Sequence, residues 1–123
     1  MKIIHLNHTA LQVKDVAVTI RFYEEVVGLK QISRPAFGFP GAWFRIGVDQ
    51  ELHLIQGAPE HISSSSRGDH YAMMVDSITE AEALLKSNGV AYKGPHHRPD
   101  GAKQIFFEDP DGHVIEFCTA PGK

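Results

Sequence analysis

Residues 109–117, DPDGHVIEF, decide how this chain folds. Asp109-Pro110-Asp111-Gly112 is turn chemistry: proline presets φ and glycine accepts a positive one, so a strand should follow. His113-Val114-Ile115-Glu116-Phe117 then sets a carboxylate in an apolar, β-branched run, where burial without a partner is costly. What Glu116 faces depends on the rest of the chain.

Upstream of that turn, DHYAMMV, VAYKG and KQIFFE read as strands, and SITEAEALLKSNG reads as an amphipathic helix opened by a Ser77/Glu80 capping box and stopped by Gly89. The N-terminal half has the same order. IIHLNHTALQV is strand-like, and KDVAVTIRFYEEVVGLK is a helix with Asp15 as N-cap and Gly28 as its stop. LKQIS, WFRIG and ELHLIQ follow as strands, the last two joined by the turn Gly47-Val48-Asp49-Gln50. Spacing supports a duplication, since His8 precedes His53 by 45 residues and His70 precedes Glu116 by 46. The sequence therefore predicts an α+β fold of two tandem βαβββ modules in one domain, 1–123. Module one spans 3–56 and module two 69–118. Between them GAPEHISSSSRG, 57–68, reads as a flexible connector.

Composition narrows the function. The 123 residues carry a formal charge of −3 from interspersed charges, with no basic stripe or acidic tail, so neither nucleic acid nor membrane is the expected partner, and a small-molecule substrate is. Cys118 is the single cysteine, so no internal disulfide is possible. No stretch approaches the roughly 18 apolar residues of a membrane span, and His5, Asn7 and His8 interrupt the N-terminal apolar run, so a soluble cytoplasmic protein is expected. The eight histidines are the compositional excess.

Strand alternation places four of the polar residues. His8 shares a face with Leu6, Ala10 and Gln12; His53 projects opposite Leu52 and Leu54; His70 goes with Ala72 and Met74; Glu116 projects opposite Ile115 and Phe117. A lone histidine in a strand is ordinarily a packed or edge residue, and a lone glutamate can face water. Four such groups at repeat-related positions suggest one shared site instead. Three imidazoles and a carboxylate suit a divalent Zn, Ni, Co, Fe or Mn ion.

The stretches NHTALQV, RFYEEVVGLK, ELHLIQ, DHYAMMVD and FFEDPDGHVIEF resemble the vicinal oxygen chelate superfamily, which includes glyoxalase I, fosfomycin-resistance thiol transferases, extradiol dioxygenases and methylmalonyl-CoA epimerase. The resemblance covers residues 3 to 118. It implies a U-shaped, half-barrel sheet around a divalent metal that the substrate chelates through adjacent oxygens. It also implies that His8, His53, His70 and Glu116 are the metal ligands of the glyoxalase I type, with Glu116 also able to move the proton, and that chains of this length form homodimers.

The resemblance points to a metal-dependent, glyoxalase-like lyase or isomerase. An extradiol-type dioxygenase or a thiol transferase is the enzyme alternative, and a non-catalytic sequestering protein the other. Where glyoxalase I has an Arg four residues after its first His, this chain has Gln12; where it has an Asn four residues after its second ligand, this chain has Gly57. The Thr of the thiol transferases is Ala10. SRPAFGFPGAWFRIG, 33–47, offers Phe37, Phe39 and Trp43 as an apolar wall and Arg34 or Arg45 as an anion partner, against the simpler reading of core aromatics and solvated arginines. GPHHRPDG, 94–101, reads first as a solvated polar loop, with substrate contact by His96, His97 and Arg98 as the alternative; for a substrate, Phe39, Trp43, Arg45 and His97 are the leading contacts. His5, His61 and His113 are expected at the surface.

Overall fold

A computed structural model describes residues 1–57 and 59–122; Ala58, inside the expected connector, and Lys123, at the end of the expected domain, lie outside the described residues. The chain divides into two units, Met1–Glu60 and His61–Lys123. Both are α+β and carry the same order of elements, two tandem βαβββ modules.

In module one, β1 (His8–Val13) leads to α1 (Val16–Arg21), which continues as a π-helical turn (Phe22–Val27), then to β2 (Lys30–Ile32), β3 (Gly41–Ile46) and β4 (Gln50–Gln56). The sheet order is β1-β4-β3-β2, with β1 and β4 parallel and the rest antiparallel. A parallel pair needs a long crossover, and the helix with two strands supplies it. Asp15 caps α1, its Oδ1 accepting from Ala17 N at 3.0 Å and Val18 N at 3.4 Å. At the far end Gly28 takes φ 82°, the left-handed conformation glycine tolerates, and its N–H donates to Tyr23 O. The widened turn was not foreseen. Leu29 N also donates to Tyr23 O, at 2.9 Å, so one carbonyl serves two donors and the helix ends a residue later than an α-helical count would give. Tyr23 stays fully buried and meets Phe44 at 6.1 Å between ring centroids.

The first strand starts later than the apolar run suggests. Its partner β4 begins only at Gln50, after the turn, and the register opens with His8 opposite Glu51, so among the described residues no strand pairs with Ile3 and Ile4, which stay exposed.

Module two repeats the plan with β5 (Tyr71–Met74), α2 (Ile78–Ser87), β6 (Tyr92–His97), β7 (Lys103–Glu108) and β8 (Val114–Cys118), in the order β5-β8-β7-β6. Ser77 Oγ accepts from Glu80 N at 3.1 Å, and Gly89 follows the helix with φ 68°. The expected 94–101 loop is half strand. β6 runs through His97, with His96 opposite Gln104 and His97 opposite Lys103, past a register shift beside the cis Gly94–Pro95 bond.

Each helix covers one face of its sheet. Leu52 and Leu54 in module one, and Ile105, Ile115 and Leu85 in module two, are fully buried there. The removal of such a side chain forfeits its transfer energy and leaves a cavity. We expect Leu52→Ala and Ile115→Ala each to lower unfolding stability by about 2–5 kcal/mol, measured by denaturant titration. The opposite faces carry the polar residues.

One surface expectation is overturned. His113 is buried because Asp109 needs it: His113 Nδ1 donates to Asp109 Oδ2 at 2.8 Å, while Asp109 Oδ1 accepts from Asp111 N and His113 N, both at 2.9 Å. Gly112, at φ 93°, completes the turn. The DPDGH stretch is thus a self-satisfied corner between β7 and β8.

Candidate metal and substrate site

In module two, the question raised by Glu116 has a local answer. Its side chain is buried on the face away from α2, 5 % exposed, and both oxygens are engaged. Oε1 lies 3.0 Å from His70 Nε2, and Oε2 accepts from Gln104 Nε2 at 3.0 Å. His70 stands just ahead of β5, whose parallel register with β8 sets Ala72 opposite Glu116. Its Nδ1 faces two backbone carbonyls, Ser65 O at 3.1 Å and Gly68 O at 3.2 Å. Carbonyls only accept, so that nitrogen carries a hydrogen, and on the other side Nε2 faces a carboxylate that also only accepts. At 3.0 Å the two atoms are joined either by an Nε2–H donated to the carboxylate or by a cation held between them. Ligand atoms in adjacent positions around a divalent ion, with bonds of about 2.1 Å, are separated by about this much. A ring N–H held by a backbone carbonyl is also the usual outer support of a metal-binding histidine. The donor set and its spacing fit a metal.

The connector makes this possible. Ser64 Oγ donates to Asp69 O at 2.8 Å and accepts from Val114 N at 2.8 Å, and Ser65 N donates to Asp69 O at 3.0 Å. The serine run, expected to be a flexible linker, is stitched to β8 and to the residue before His70. Phe106 meets His70 edge-on at 5.6 Å.

In module one, His53 is 9 % exposed, and by register lies between Ala10 of β1 and Trp43 of β3. Its ring is sandwiched: Trp43 stacks on one side at 4.0 Å and 3°, His8 on the other at 4.1 Å and 16°. His53 Nε2 donates to Glu51 Oε1 at 2.8 Å, and Glu51 Oε2 lies 3.9 Å from Arg45 Nη1. His8 Nδ1 donates to Asn7 Oδ1 at 2.8 Å, which leaves its Nε2 free for a ligand. For His53 the free nitrogen is Nδ1. Glu51, on the same face two residues before His53, is a site residue the sequence reading missed.

The other expected contacts divide. Arg34 clamps the loop: its guanidinium lies 4.9 Å over both the Phe37 and Phe39 rings and donates to Phe39 O at 3.0 Å. Phe39, half exposed, stacks with Phe37 at 5.6 Å, and Phe37 meets Trp43 at 5.9 Å, forming an aromatic lip. Gln12 and Gly57, the two departures from the glyoxalase I pattern, are coupled, because a Cβ at Gly57 would come 2.5 Å from Gln12 Nε2. Arg98 pairs with Asp100, whose carboxyl it holds below the ordinary range. His97 is exposed at the end of β6, whereas His96 joins Gln104 and Phe106 in lining a cavity of about 410 Å³. Burial, and then the Glu116 charge, push the Cys118 thiol up, which makes it a poor nucleophile.

Among the described residues, one cluster of three potential ligands has all its atoms within 4.8 Å: Asp109, Asp111 and His113. Asp109 already receives three hydrogen bonds there, so the corner accounts for this cluster without an ion.

Comparison with known proteins supports the same family. The chain is 30% identical over 122 residues to Glyoxylase I 4 of Arabidopsis thaliana, covering 93% of this chain and 70% of that one. It is 30% identical over 125 residues to Metallothiol transferase FosB of Lysinibacillus sphaericus (strain C3-41), covering 97% and 84%. Among solved structures, TnmS3, an antibiotic binding protein from Streptomyces sp. CB03234, superposes with a TM-score of 0.81 at 30% identity, covering 99% of each chain. The Glyoxalase/Bleomycin resistance protein/Dioxygenase superfamily matches residues 5–117. With its two βαβββ modules, and with these relatives, the chain belongs to the glyoxalase/bleomycin resistance/dioxygenase superfamily.

Proposed function

We propose that this protein is a metal-dependent, glyoxalase-like enzyme of the lyase or isomerase type, acting on a small substrate that chelates the ion through vicinal oxygens. The observation that carries the reading is the pair His70 Nε2 and Glu116 Oε1, held 3.0 Å apart, the spacing of neighbouring metal ligands, by outer hydrogen bonds on both residues. His8, His53, His70 and Glu116 are the ligands in this proposal, for a divalent Zn, Ni, Co, Fe or Mn ion. Bound there, the ion supplies Lewis acidity to the chelated carbonyl.

Glu116 moves the proton at Oε2, the oxygen turned away from His70, and Gln104 fixes that oxygen and tunes how readily it takes the proton. Phe37, Phe39 and Trp43 wall the substrate, and Arg45 acts through Glu51 on His53. A homodimer belongs to this reading; the exposed Ile3, Ile4 and Leu6 of the N-terminal segment supply apolar surface for it.

Metal analysis of purified protein, coupled to a turnover screen with hemithioacetals, catechols and 2-oxo acids, tests the proposal. Stoichiometric metal with turnover of a hemithioacetal or 2-oxo acid supports it; metal-free protein that binds no added divalent ion sinks it. The exposed aromatic lip and the likeness to an antibiotic binding protein favour a second reading, a sequestering protein. Tight ligand binding without turnover would select it.

A further inference from the structure

The cavity of about 410 Å³ in module two has an unusual lining: Ser66, Arg67, Lys93, His96, Gln104 and Phe106, all donors apart from the phenylalanine, and no carboxylate. Among the described residues, neither Arg67 nor Lys93 forms an ion pair, whereas the neighbouring Arg98 is matched by Asp100. Two uncompensated cations share one cavity in a chain whose net charge is −3. Like charges held together repel, and an anion between them removes that cost.

The cavity adjoins the His70–Glu116 pair. Gln104 is common to both, donating to Glu116 Oε2, and Phe106 forms the floor from His70, at 5.6 Å, to His96, at 6.4 Å. Register gives the scale. Lys93 is opposite Phe106, and Phe106 is opposite Glu116, so Lys93 stands two strands away from the carboxylate. Two strand spacings come to about 10 Å between backbones, and a lysine side chain spans more than half of that.

We propose that this cavity seats an anionic group, a carboxylate or a phosphoryl oxyanion, with Lys93 and Arg67 as its charge partners and Ser66 and His96 as further donors. The anion belongs to the substrate itself, a few bonds from its chelating oxygens; that assignment rests on the enzymatic reading above, while the anion seat does not. Neutral catechols lack a partner for it.

Inorganic phosphate titrated calorimetrically into metal-free protein tests the seat. Wild type binds phosphate saturably, Lys93→Gln and Arg67→Gln each weaken it roughly tenfold, and Lys93→Arg retains it. No saturable binding in wild type, or unchanged affinity in the double Gln variant, overturns the proposal. Both side chains are exposed, so the variants keep the fold. In metal-loaded protein, Lys93→Gln raises KM at least tenfold for anionic substrates with kcat retained, and leaves neutral ones unaffected. Equal effects on anionic and neutral substrates would refute the assignment to the substrate. If no substrate turns over, the enzymatic reading fails, and the phosphate titration still decides the seat.

Discussion

The two modules share a strand order, yet each pairs its histidine with a carboxylate by a different route. In module one the partner of His53 is Glu51, two residues earlier on the same strand, at 2.8 Å. In module two the partner of His70 is Glu116, 46 residues later on the neighbouring parallel strand, at 3.0 Å. A pair within one strand depends only on the pleat, which returns alternate side chains to one face. A pair across strands depends on the β5–β8 register and on everything that holds His70 in place, including the serine run. Module one therefore has a locally built pair flanked by aromatic rings, and module two a pair that the whole fold must assemble. The second arrangement holds a ring nitrogen and a carboxylate oxygen at the spacing of neighbouring metal ligands, which is why it is the better place to look for an ion.

Breaking the cross-strand pair should have the largest effect. His70→Ala and Glu116→Ala are each expected to reduce metal affinity by more than about a hundredfold, beyond the loss typical of outer-sphere changes, as read by elemental analysis after reloading. Full occupancy in both variants would remove the proposed site. Disturbing the local pair should do less. Glu51→Gln keeps shape but takes away the charge that orients His53, and a loss of about ten- to a hundredfold in metal affinity is expected, with a changed visible spectrum of the cobalt-loaded protein. An unaltered spectrum would make Glu51 a bystander.

The same contrast explains how much was legible in the sequence. Turns, caps and alternation are local, and they exposed the duplication, both helix starts at Asp15 and Ser77, and the faces of His53 and Glu116. Glu51 was equally local, since alternation places it on the His53 face, but the repeat gives it no polar counterpart: Val114 stands at the equivalent position of module two. His113 carried a signal too, since an Asp four residues before a His across a Pro-Gly corner is well placed to draw it inward. Gln104 and the Ser65 carbonyl were not legible. They reach Glu116 and His70 through strand register and connector path, which no local pattern encodes. Nor was the π-helical turn, because it is defined by which carbonyl Gly28 and Leu29 choose.

The helix caps offer a smaller, matched test of the modules. Asp15 serves two N–H groups and Ser77 one. Asp15→Ala and Ser77→Ala should each cost about 1 kcal/mol, the first somewhat more, and appear as a fall in Tm of a few degrees. A larger loss at Ser77 would show that its helix depends on more than the cap.

The smallest effect expected lies at the edge of module two, where Tyr92 Oη donates to Glu82 Oε2 at 2.6 Å and ties β6 to α2. That hydrogen bond, with partial burial and the Glu82 charge adding to it, raises the phenol above its ordinary 10.0. Because the folded value is the higher one, the neutral phenol is the form the fold favours. Its contribution to stability is complete below about pH 10 and disappears as pH rises through the raised value. A residue-resolved titration should show Tyr92 ionising late, and Glu82→Gln should bring it back toward the ordinary value. If the late phase survives Glu82→Gln, the Glu82 charge is not what holds the proton, and burial with an uncharged hydrogen bond suffices to tie α2 to β6.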